Sequence, residues 1–327
     1  MPLLSSYGLA GTPNFLGGGG QPLETFTKTY NYTGGSQTFS APAEIENMIA
    51  YVFGPGGGAE GDTNTWGGAG GWAKGTINNA ANTTFKIIVG GAGGPGTQNN
   101  GSGGGYSGVF TNSWNGGNRG TDHNAAIIMS GGGGGSADNS NGRSHGGGAG
   151  GGSTGQHGYS PSGGRGGSQN SGGGYNRGGG GGNCNGQCSG VQLSGGNGCG
   201  GQEGPWAVGW PCQIYGGNYC SAAGRNGCNA GGGGAGYYGG SGGGGGPNSS
   251  NGAGGSGYIG GHPSHPISEA QWENGQSSSV HPSATGSGYW PGPGVSRGGQ
   301  RGNNWGQGHA YGGHGKIVIQ YDAYNPV

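Results

Sequence analysis

Six cysteines, Cys184, Cys188, Cys199, Cys212, Cys220 and Cys228, form the densest set of reactive side chains in this chain. Thiols so crowded either hold zinc or pair as disulfides. Structural zinc sites favour short, regular ligand spacings, and no CxxC pair occurs here. The irregular spacing favours disulfides, with fifteen connectivities open. Each bridge typically adds about 2–4 kcal/mol, useful where apolar burial is thin. The eight histidines are scattered. His262 and His265, separated by Pro263 and Ser264, could ligate a metal, but rigid prolines flank them and no carboxylates cluster nearby. No glycine run is followed by GK[ST], which excludes a phosphate-binding loop of that kind. These patterns predict no enzyme, no cofactor and no metal centre.

Aromatic residues are the stronger functional signal. Trp206, Trp210, Tyr215 and Tyr219 lie in PWAVGWPCQIYGGNYC, bracketed by Cys199, Cys212 and Cys220. A loop pinned by disulfides and carrying Trp and Tyr makes a contact surface at low entropic cost. The same rings could instead cover the ends of a glycine bundle as small satellite cores. Tyr289, Trp290 and Trp305 form a second candidate recognition group. Trp66, Trp72 and Trp114 fit a sheet edge or core.

The elements that must carry such loops follow from glycine. In GGGGAGYYGGSGGGGG (231–246) glycine recurs at Gly233, Gly236, Gly239, Gly242 and Gly245. A period of three is neither helix nor strand; it is that of polyproline II, which makes no internal hydrogen bonds. Buried N–H and C=O groups must find partners, so such a segment needs neighbours close enough to bond. The expectation is a bundle of polyglycine II helices in which hydrogen bonding largely replaces an apolar core. A disordered low-complexity tract is the competing reading, and the aromatics and cysteines planted in the tract weigh against it.

Composition agrees with that division. Of 327 residues 101 are glycine and only 28% are hydrophobic, too few for an ordinary core along the whole length. Lys and Arg number 11 against 11 Asp and Glu, and no basic field exists to hold nucleic-acid phosphates. No apolar run approaches the roughly 20 residues that span a bilayer. The opening MPLLSSYGLAGTPNFLGG does not read as a secretory signal, whereas clustered cysteines suit an oxidising exterior. A virion protein, or a chain whose signal has been removed, satisfies both.

Taken in order, residues 1–22 read as a flexible or docking arm. Residues 23–130 carry strand signals: TFTKTYNYT, QTFSAPA, ENMIAYVFG, GGWAKGTI, TFKIIVGG, GGGYSGVF and AAIIMS. Residues 131–260 are the glycine bundle with disulfide-stapled loops, and 261–314 read as polar surface loops. Residues 315–327 close with a strand in which Ile317, Ile319 and Tyr321 alternate with Val318 and Gln320. A lone strand is not stable unless it pairs with the earlier ones. The expected fold is therefore mainly β: an antiparallel β-sandwich with an inserted bundle of polyglycine II helices and almost no α-helix.

The succession QTFSAPA, GPGGGAEG, GGAGGWAKGTI, TFKIIVGG, GGGYSGVF, AAIIMSGGGGG, GGGGAGYYGG, GSGYIGG, GHGKIVIQY resembles the glycine-rich extracellular region of anaplastic lymphoma kinase and its leukocyte relative, over roughly residues 25–322. The style of the glycine segments is also similar to the glycine-rich tail-fibre tip adhesins of T-even-like bacteriophages. The resemblance implies a β-sandwich and polyglycine II bundle built as one unit that displays loops to a protein or cell-surface ligand. No transmembrane segment, kinase domain or cysteine-rich module follows GHGKIVIQY, which points to a free-standing adhesin on a virion surface or otherwise extracellular. Its expected partners are a host cell-surface polymer or protein, and a fibre shaft protein or copies of itself. Nucleic acid and membrane insertion are not expected. The alternative is a structural protein that self-assembles into an extracellular filament or matrix.

Overall fold

A computed structural model of the chain describes residues 22–59, 65–94, 101–116, 119–137, 146–159, 163–174, 192–194, 230–243, 250–275, 295–299 and 311–324. Its regular structure is mainly β. Among the described residues nine strands run as β1 (Leu23–Asn31), β2 (Gln37–Ser40), β3 (Ile45–Phe53), β4 (Trp72–Ile77), β5 (Thr84–Ile88), β6 (Ser107–Thr111), β7 (Ala126–Ser130), β8 (Ile267–Glu273) and β9 (Lys316–Tyr324). The one helix among the described residues is the short α1 (Arg119–Asn124). Two antiparallel sheets result, one of order β1-β9-β3-β4-β8 and one of order β2-β5-β6-β7.

Alternation decides what each strand buries. In β5, Phe85 and Ile87 enter the main core with Phe39, Ala50, Val52, Val109, Ile128, Ile317 and Ile319, residues drawn from both sheets. Ile88 points the other way, into a second cluster with Tyr106, Phe110, Trp114, Met129 and Ala235. β9 does the same for the larger sheet: Ile317 and Ile319 face the main core, and Val318 joins Tyr51, Phe53 and Trp72 on the outer face. It pairs along its whole length with β1 and also with β3. The last strand of the chain is thus the second in its sheet.

Bulges interrupt two of the strands. Between Glu46 and Ile49 one extra residue enters β3, with Asn47 at a positive φ of 48°. The Asn47 side chain donates to Asp322 Oδ2 and Thr25 donates to Oδ1. Those two bonds hold the half-buried Asp322 carboxyl below the usual carboxylate range. The second bulge explains a strand inside the span 261–314, which by sequence reads as surface loops. β8 pairs with β4 there, with a shift between Lys74 and Thr76 and Glu269 at φ 52°. The extra residue reverses the alternation, so Ile267 and Trp272, five positions apart, both pack against the main core. A period-two search cannot see such a strand.

Glycine segments continue from the strand ends. Residues 131–136, following β7, make no bonds among themselves. The N–H of Gly132 goes to Ala235 O, Gly133 to Pro55 O and Gly134 to Gly148 O. The cycle then repeats, with Gly135 to Gly232 O and Ser136 to Gly58 O. Their carbonyls accept with the same period: Gly131 from Gly71, Gly132 from Gly255, Gly133 from Gly104, then Gly134 from Gly68, Gly135 from Gly252 and Ser136 from Gly101. The segment is ringed by six others. Residues 250–257 are ringed likewise, donating toward 132–135, 238–241, Gln156 and Gly152 and accepting from 231–237, 164–167 and 148–151. A side chain does not fit between such neighbours: a Cβ on Gly133 would fall on Gly68 O, and one on Gly252 on Gly232 O.

Candidate functional site

The register of these bonds gives the glycine segments two distinct ends. At one end they join the sheets, where Gly54 N–H bonds Gly71 O and Gly71 N–H bonds Gly131 O just beyond β3, β4 and β7. At the opposite end Gly58 bonds Ser102, Ser102 bonds Gly94, Gly101 bonds Ser136, Gly147 bonds Trp66, Gly231 bonds Ser250, Gly243 bonds Gly231 and Tyr159 bonds Gly146. Gly67 with Gly299, and Gly312 with Gly93, add the last two segments at that end. Many returns of the chain thus meet on one surface remote from the sheets.

Two tyrosines mark this surface. Tyr159 is 63% exposed and Tyr311 71% exposed, the most exposed large apolar side chains among the described residues. The Tyr311 ring lies beside Gly94. Tyr159 is held through its backbone: its carbonyl accepts from Asn251 Nδ2 at 2.6 Å, while Asn251 Oδ1 accepts from Ala137 N–H at 2.7 Å. Asn251 is fully buried, so this one amide ties three segments together beneath the surface. Asn251→Ala leaves the Ala137 N–H without its acceptor and is expected to cost about 1–3 kcal/mol. Thermal unfolding measures that, and hydrogen exchange at Ala137 and Tyr159 shows whether the loss is local. An unchanged Ala137 exchange rate would refute the assignment.

The cysteines Cys184, Cys188, Cys199, Cys212, Cys220 and Cys228 lie outside the described residues. So do the aromatic candidates Trp206, Trp210, Tyr215, Tyr219, Tyr289, Trp290 and Trp305. The residues flanking them are placed. Trp305 belongs to a stretch bounded by Gly299 and Tyr311, both at the remote end. Tyr289 and Trp290 lie between Gly275, bonded to Gly150 O, and Val295, packed on Tyr51, Phe53 and Trp72, both at the sheet end. The stretch with Trp206 to Tyr219 starts after Ser194, beside Leu193 in the cluster on the smaller sheet, and rejoins at Ala230, beside Gly231 at the remote end. The two aromatic groups therefore do not share one pair of anchors. Tyr159 and Tyr311 were missed by the sequence reading; the signal was a single large ring at the edge of a glycine segment.

Other polar clusters act as structure. His262 and His265 exchange backbone bonds in a tight turn, their rings 6.3 Å apart. His265 Nδ1 donates to Asn79 O at 3.0 Å, and burial lowers its pKa. His123 stacks on Tyr237 at 3.8 Å and Tyr237 on Tyr258 at 4.0 Å. Burial, with Tyr258 and Tyr238 nearby, pushes the Tyr237 hydroxyl up to about 12. Both rings flanking Tyr237 are supplied by the protein, so this stack clamps α1 to the glycine segments and offers no open aromatic face. Trp72 is buried and donates to Glu273 Oε2, and Trp114 is buried in the second cluster. Among the described residues no group of three or more His, Cys, Asp or Glu could hold a metal ion. No family model and no curated protein matches the chain.

Proposed function

We propose that this chain is a non-enzymatic extracellular recognition protein, a phage tail-fibre tip or similar adhesin. In this reading the two sheets form a β-sandwich, and the glycine segments form an inserted bundle of polyglycine II helices. The bundle presents loops at its remote end to a host cell-surface polymer or protein. The observation that carries the reading is the period-three bonding of residues 131–136 to six neighbours. A threefold helix without internal bonds makes that pattern, whereas a strand bonds two neighbours. A scaffold so bonded is rigid without a large apolar core, and rigidity lowers the entropic cost of presenting a binding surface. Loops grouped on a rigid support are the usual place for recognition.

The test uses the full chain against immobilised cell-surface preparations: lipopolysaccharide, peptidoglycan with teichoic acid, and outer-membrane protein vesicles. Saturable binding to one preparation is expected. Replacing residues 300–310 with a short Gly-Ser linker, together with Tyr159→Ala and Tyr311→Ala, should abolish it while thermal unfolding stays unchanged. Binding that survives these changes would move the site off the remote end. Absence of binding to all three, with filaments visible by electron microscopy, would favour the structural alternative.

A further inference from the structure

β1 lies at the edge of the five-stranded sheet, and among the described residues no strand pairs with its outer side. It is nine residues long, and most of it is exposed. An open edge of that length is a template for another strand, and proteins usually block it with charges. β1 carries two, Glu24 and Lys28, of opposite sign and four positions apart. Both share a face with Phe26 and Tyr30, because alternate residues do. Phe26 is half-buried, stacked on Tyr321 at 5.5 Å. The Lys28 ammonium lies over the Tyr30 and Phe39 rings, which fixes its side of the sheet.

We propose that β1 is a dimerisation edge whose occupant is β1 of a second copy of this chain, paired antiparallel about a twofold axis through Phe26. A twofold axis perpendicular to the sheet keeps inner faces on the same side, so opposed residues must share parity. With Phe26 opposite Phe26, Glu24 of each copy faces Lys28 of the other, Thr25 faces Thr27, and Leu23, 44% exposed in the single chain, faces Thr29. Two ion pairs and an aromatic pair then lie across the seam, each a favourable cross-strand contact. Moving the axis by one residue to Thr27 sets Glu24 against Tyr30 and Lys28 against Phe26. Moving it to Thr25 sets Glu24 against Phe26. The charges thus block other registers and select this one. The opposite edge of the sheet, β8, carries Glu269 and Glu273 and no basic residue, so it offers its acids no complementary partner in a second β8. The assembly closes as an isologous dimer of ten continuous strands. This inference does not depend on the adhesin reading.

Sedimentation equilibrium of the full chain across micromolar concentrations tests it. A monomer–dimer equilibrium weakened by salt is expected for the parent. Glu24→Lys alone or Lys28→Glu alone sets like charges opposite each other twice, and each should raise the dissociation constant at least about tenfold. The double reversal, Glu24→Lys with Lys28→Glu, restores both pairs and should restore the dimer. It carries every local change of the single variants, so rescue assigns the loss to the charge pairs rather than to folding. A parent that stays monomeric overturns the proposal. So do single variants that dimerise like the parent, a folded double variant that stays monomeric, or species larger than a dimer.

Discussion

Gly133→Val should remove most of the protein's stability, although no core side chain changes. Gly133 donates to Pro55 O and accepts from Gly104 N–H, and a Cβ there would fall on the Gly68 carbonyl. That carbonyl accepts from Gly57 N–H, and the Gly68 N–H donates to Gly134 O. Displacing residues 67–69 therefore stretches several buried bonds together, each costing about 1–3 kcal/mol when unsatisfied. A loss of about 4 kcal/mol or more follows, unusual for one substitution and comparable with the roughly 5–15 kcal/mol that holds a domain folded. Gly174→Val is the control. It lies in the same glycine-rich tract, but a Cβ there meets nothing within 4 Å, and its shift should stay within about 0.5 kcal/mol. Thermal unfolding of both variants beside the parent decides. Small, equal shifts would mean that the close approach of the segments does not matter to stability.

Removing residues 316–327 should abolish folding of the sheets altogether. β9 separates β1 from β3, so its loss leaves β1 without a partner among the described strands. It also takes Ile317 and Ile319 from the main core and Val318 from the outer cluster, all fully buried. Burying each such side chain contributes about 1.5–3 kcal/mol, before any ladder hydrogen bond is counted. The truncated chain should show no cooperative melting by circular dichroism and no dispersed amide spectrum. A truncated protein that melts like the parent would show that β9 contributes little to the sheet.

How much of this was legible depended on whether the signal was local. The Ile317, Val318, Ile319 alternation announced β9, and the dense ENMIAYVFG announced β3, which is buried on both faces over Ala50–Phe53. β8 was hidden because its bulge breaks the period at Glu269. The glycine frame at Gly233 and Gly236 was visible, but which segment each N–H would meet was not, because the partners of residues 131–136 are scattered from Pro55 to Gly255. Nor could spacing say why Ala235 and Ser241 interrupt that tract. Ala235 turns its methyl to the cluster around Trp114 and Met129, and the Ser241 hydroxyl accepts from Arg165 N–H and donates to Gly174 O. The tolerated side chains sit where they meet apolar side chains or a polar partner. The candidate recognition aromatics stand on stretches whose anchors alone are placed, and the two exposed tyrosines needed the packed ends of the segments to be seen as neighbours.

The six-neighbour bonding of residues 131–136 and 250–257 also bears on how this protein responds to temperature. Unfolding ordinarily raises the heat capacity by about 12–15 cal/mol/K per residue, because exposed apolar surface outweighs exposed polar surface, whose contribution is negative. In the glycine segments the buried surface is largely peptide N–H and C=O, so unfolding them exposes mostly the kind that lowers heat capacity. Their share of the total is then small or negative, and the stability curve of the whole chain flattens. A flat curve keeps enthalpy and entropy nearly constant over a wide range and moves cold unfolding far below freezing. A protein held together this way keeps its shape in the cold, where one relying on hydrophobic burial would weaken.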